Sequence, residues 1–112
     1  MIKFKNQLTL TVENEQSFSM NNINVDNGCT LTVTQDTNTN CVITVNEGGT
    51  VLIDQNSKVE SININGGTVN IKGTVTTVTV SKGILNIYPT AIISSIKVSS
   101  SASENSYSIA KL

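Results

Sequence analysis

The sequence predicts an all-β fold wound as a β-solenoid. Three observations point there: a composition rich in β-branched and small polar residues, paired aliphatics that recur at near-regular spacing, and bend residues that recur in step with them. The alternative is a β-sandwich or hairpin meander.

Composition sets the class. At 112 residues the chain is of single-domain size. Val and Ile far outnumber Leu, while Thr, Asn and Ser supply more than a third of the residues. β-Branched side chains are stiff at χ1 and pack well on a pleated surface, and scarce Ala, Leu and Glu argue against helices.

The repeat has two aliphatic pairs per unit. One pair runs Leu10/Val12, Leu31/Val33, Val51/Ile53, Val69/Ile71 and Leu85/Ile87. The other runs Ile23/Val25, Ile43/Val45, Ile62/Ile64, Val78/Val80 and Ile96/Val98. Within a pair the residues sit two apart, so they share one face of a strand. Successive second pairs lie 20, 19, 16 and 18 residues apart. A further apolar position precedes the second pair by three residues at Met20, Val59, Val75 and Ile93. Asn40, beside Cys41, disturbs it in the second copy.

The corners repeat too. After each second pair comes Asp26, Asn46, Asn65, Ser81 or Ser99, and glycine follows at Gly28, Gly48, Gly66 and Gly83. Asn and Asp tolerate left-handed backbone, and Gly adopts it without a Cβ clash, so these are sharp bends. A meander places no demand on matched corners every 16–20 residues; a coil returning to the same place each turn does. About five rungs follow, each strand pairing in parallel with its equivalent one rung away. The core columns include Val33, Ile53, Ile71 and Ile87 on one side and Val45, Ile64, Val80 and Val98 on the other. A six-residue aliphatic step would mark a left-handed coil, but six residues after Val33 stands Thr39, so a right-handed coil is favoured.

Residues 28–98 form the rungs, residues 1–27 an atypical first rung or cap, and residues 99–112 a Ser-rich tail. Phe4 and Phe18 are candidates to plug the first rung. Tyr107, Ile109 and Leu112 are candidates to cap the last rung or dock on a neighbouring subunit, because a coil's end strands invite another chain.

The stretch "GGTVNIKGTVTTVTVSKGILNIYPTAIISSIKV", residues 66–98, resembles right-handed β-helix proteins. Two groups share its character: β-helical segments of phage fibres and virion decoration proteins, and bactofilin-type cytoskeletal polymers. The resemblance is architectural. The Gly-Asp-Ile step common in bactofilin-like rungs has no counterpart here, so the virion group is the nearer. It implies a structural part that assembles with itself, as a trimer or filament, or with a capsid, located in the virion or the cytoplasm.

Other functions are weighed against the residues. Seven Lys with no Arg, no basic cluster and few aromatics leave no electrostatic footprint for nucleic acid. The start "MIKFKNQLTL" has no apolar stretch of signal-peptide length, and no later segment is apolar enough to span a bilayer, so use without export is expected. Asp36, Glu47, Asp54 and Glu60 fall at turns and read as solvated carboxylates rather than a glycosidase pair. No His accompanies Cys29 and Cys41, which are expected as reduced thiols, and no metal or cofactor is expected. Thr30, Thr32 and Thr34 match an ice-binding row on one rung only. Tyr88 stands nearly alone as an aromatic platform, so glycan binding through the Asn/Thr face would be weak; a glycan- or ice-binding solenoid is the further alternative. A non-enzymatic structural protein is the expectation.

Overall fold

The computed structural model of the protein describes residues 2–4, 9–12, 22–34, 36–37, 41–103 and 105–112. They hold ten strands and no helix: β1 (Ile2–Phe4), β2 (Thr9–Val12), β3 (Asn22–Val25), β4 (Thr30–Val33), β5 (Val42–Asn46), β6 (Thr50–Ile53), β7 (Lys58–Ile71), β8 (Thr74–Ile87), β9 (Ile92–Val98) and β10 (Tyr107–Lys111). Every pairing is parallel. One face stacks β1, β3 and β5 on the first part of β7; the other stacks β2, β4 and β6 on its second part. β8 lies along the whole of β7, and β9 and β10 both lie along β8. This is a β-solenoid of about four turns. The end repeats differ from the middle ones: β1 has only three residues, and a long corner separates β9 from β10.

The aliphatic pairs set the register. Leu31 pairs Val51, Val51 pairs Val69 and Val69 pairs Leu85, while Ile23, Ile43, Ile62, Val78 and Ile96 form an unbroken second row. Val33, Ile53, Ile71, Val45, Ile64 and Val80 are fully buried. Val59 and Val75 pair in register and are buried, with Ile93 next in that column; Met20 and Asn40 lie outside the described residues. A single rung cannot cover its own apolar face, so each coil is stable through its neighbours.

Rung length varies at the turns and leaves the strands intact. Four residues, Asn46–Gly49, separate Val45 from Thr50, but only Asn65–Gly67 separate Ile64 from Thr68. The ladder absorbs the difference as a register shift at Asn46, which pairs with both Asn65 and Gly66, while β7 runs through its corner as one strand. Gly28, Gly48, Gly66 and Gly83 take positive φ at these corners. Gly67 is required for space: a Cβ there would collide with Val45 Cγ1 and the Gly49 carbonyl oxygen.

The opposite turn is tied across three coils. The Ser57 N–H donates to Asp54 O at 3.1 Å, and its hydroxyl to Val33 O at 2.8 Å. The Thr74 N–H donates to Ser57 O at 2.9 Å. Outside, Asn46 Nδ2 donates to Asp26 Oδ1 at 2.7 Å and Asn86 Nδ2 to Asn70 Oδ1 at 2.9 Å, each joining successive coils. Cys29 and Cys41 are buried free thiols. Burial pushes the Cys41 thiol up to about 11, against an opposing hydrogen bond with the Thr37 side chain.

Candidate docking surface at the C-terminal coil

β8 is covered by β7 on one side and by β9 and β10 on the other; beyond β9 and β10 no strand follows among the described residues. Their outer backbone groups form an edge, and the side chains of the final coil show it. Val78 and Val80 are fully buried, whereas Ile96 and Val98, next in the same columns, are 39% and 44% exposed. The core position expected at Val98 is therefore half uncovered, because burial in a coil needs a rung on each side. Ile87 is partly buried for the same reason.

β10 closes this coil. After Val98 the chain makes a corner from Ser99 to Ser106. The Ala102 N–H donates to Ser99 O at 2.9 Å, and the Ser106 N–H to Ser103 O at 2.8 Å. The Ser106 carbonyl then accepts from the Gly83 N–H at 2.9 Å, which brings Tyr107 opposite Gly83, Ile109 opposite Leu85 and Lys111 opposite Ile87. The Leu112 N–H donates to Ile87 O at 2.7 Å. Tyr88 makes the same bond to Ile71 O, Lys72 to Ile53 O and Asp54 to Val33 O. The last residues thus extend the ladder of the first aliphatic pair.

Of the five residues singled out for assembly, the structure brings three to this coil. Tyr107 packs against the core; Ile109 and Leu112 are exposed. Phe4 occupies the register position of Val25 in β1, at the other end of the row, and Phe18 lies outside the described residues. Sequence reasoning missed Ile92, which is 65% exposed, and Lys97 and Lys111. The available signal was "YSIAK" read as a sixth copy of the first pair, Ile109 and Lys111, with a charge where an aliphatic is expected.

A cavity of about 340 Å³ opens at this coil, lined by Ile87, Ala91, Ile93, Ile96 and Lys111. It is the apolar interior of the coil where the stacking stops, with the exposed Lys111 at its margin. The surface can offer unpaired main-chain donors and acceptors beside exposed aliphatics, which is what an added β-strand uses.

Of the acids expected at turns, Glu60 lies instead within β7, because the strand begins at Lys58 and runs on through its corner; the acids make local contacts. Glu47 Oε2 lies 3.7 Å from Lys82 Nζ, Glu60 Oε2 accepts from Thr76 Oγ1 at 3.4 Å, and Asp54 Oδ1 accepts from the Gln55 N–H at 2.9 Å. Among the described residues no three His, Cys, Asp or Glu gather closely enough to hold a metal ion, and no helix is long and apolar enough to cross a membrane. No protein-family model matches the chain, and searches of curated proteins and of solved structures return no match to it.

Proposed function

We propose that this chain is a non-enzymatic structural protein that joins a larger protein assembly through the open C-terminal end of its coil. One observation carries the reading: inward columns that are fully buried at Val78 and Val80 become exposed at Ile96 and Val98, on an edge that no described strand covers. Exposed aliphatics beside unpaired ladder groups are an aggregation hazard unless a partner covers them. The setting we assign is a virion, as a fibre or capsid-decoration part. Its support is the likeness of residues 66–98 to such β-helical segments, together with an outer face of Asn and Thr rather than charge.

The test is light scattering coupled to size-exclusion chromatography, with electron microscopy of the same sample, on the wild type and on Ile96→Lys. The reading expects a discrete small species rather than an open polymer, and expects any oligomer formed through this end to be weakened by Ile96→Lys without unfolding the chain. Long filaments of the wild type would overturn it in favour of a cytoskeletal polymer.

A further inference from the structure

The two ends of the solenoid can be compared through the register that links them. One register column runs Lys3, Asn24, Thr44, Asn63, Thr79 and Lys97, each residue opposite the next on parallel strands. It is uncharged through its middle and closes in lysine at both ends. A second column runs Val12, Val33, Ile53, Ile71, Ile87 and Lys111: five aliphatics, then a lysine that lines the cavity.

A second copy continuing the coil in register would set its β1 along β9 and its β2 along β10. Ile2 would then stand opposite Ile96 and Phe4 opposite Val98, which is favourable. Lys3 would stand opposite Lys97 and Val12 opposite Lys111, which is not. Like charges directly opposite on paired strands repel. An ammonium forced into a closed apolar column loses its water with no counter-charge to replace it. A lysine at a core register position of an edge strand opposes edge-to-edge pairing. Among the described residues the ion pair is Lys82 with Glu47, so neither Lys97 nor Lys111 is matched by a carboxylate of its own chain there.

We propose that the C-terminal coil is a docking surface for the β-edge of a different protein, one carrying a carboxylate opposite Lys97, and that Lys97 and Lys111 turn away the chain's own first coil. The inference rests on the docking role proposed above and adds the partner's chemistry. Aliphatics opposite Ile96 and Val98 supply contact with the apolar interior. The carboxylate between them distinguishes the partner edge from a copy of this chain, where that place is held by Lys3.

The chain itself provides the probe, since Lys3→Glu turns its first coil into an acidic edge. Four proteins are compared by sedimentation velocity in a Lys111→Thr background, which leaves Lys97 as the only charge barrier: Lys97 with Lys3, Lys3→Glu, Lys97→Glu, and the double swap. Circular dichroism checks that each is folded. The single swaps place opposite charges across the junction and are expected to form head-to-tail stacks roughly 5- to 30-fold more tightly than the parent or the double swap. An equimolar mixture of parent and double swap is expected to associate where neither does alone. Salt near 0.5 M should shrink the differences. Restoring Lys111 in the single swaps should weaken stacking by about tenfold or more. Equal association by all four proteins, or head-to-tail stacking of the wild type, would overturn the inference. If the wild type instead forms a discrete oligomer that Ile96→Lys weakens while the charge cycle is flat, the docking role survives and only the acidic partner is lost.

Discussion

Asn70 and Ile71 are neighbours in β7 with opposite fates. Ile71 is fully buried between Ile53 and Ile87; Asn70 accepts a hydrogen bond from Asn86 on the outer face. Ile71→Asp places a carboxylate in the aliphatic column with no cation beside it and is expected to cost about 4 kcal/mol or more. Total stability for a domain is about 5–15 kcal/mol, so that change leaves the chain largely unfolded. Asn70→Asp keeps an acceptor for the Asn86 amide and is expected to change stability by less than about 1 kcal/mol. Urea titrations followed by circular dichroism separate the two, and near-equal stabilities would show that the inward and outward registers are reversed. This alternation was legible in the sequence because a two-residue period fixes which face a side chain takes. The exposure of Val98 was not, since burial there depends on whether another coil follows.

Strands and turns carry the repeat differently. The paired aliphatics align without a gap from β3 and β4 to β8, whereas turn length absorbs the variation in rung spacing. Spacing alone therefore located the strands but not the shape of each corner. Gly66 is the residue with positive φ, yet Gly67 is the one that no side chain can replace for lack of room. Gly67→Ala is expected to destabilise the chain by roughly 2–4 kcal/mol because the obstacles include backbone. Asn65→Ala beside it, at an exposed position, is expected to stay within about 0.5 kcal/mol. Thermal or urea unfolding of the two variants checks this; a harmless Gly67→Ala would mean the coils are not so close there. β10 shows where pattern reading stopped. The polar corner Ser99–Ser106 has the composition of a linker, but its turn bonds return the chain to β8, and Lys111 hides the match to Ile87.

On the scale of the whole molecule, a parallel coil has a uniform middle and two ends, and chemistry specific to the chain gathers at the ends. Through the described middle, aliphatics cover aliphatics, and the outer columns are Asn and Thr apart from Leu52. At the C-terminal end the columns turn to Lys97 and Lys111 while the aliphatics beside them remain uncovered. A coil selected only to terminate would have polar residues in place of Ile92, Ile96 and Ile109. One that grew by adding its own copies would have no lysine in both Lys3 and Lys97 positions. The combination points to an edge that waits for something other than itself.

Amide hydrogen exchange on the isolated chain, at a concentration where light scattering finds one species, tests the open end most directly. Backbone groups open locally with free energies that follow how well each strand is covered. The account predicts slow exchange throughout β7 and the paired parts of β8, and fast exchange at those amides of β9 and β10 that point away from β8. Protection in β9 and β10 as uniform as that in β7 would show that the last coil is already capped, and the docking surface would not exist.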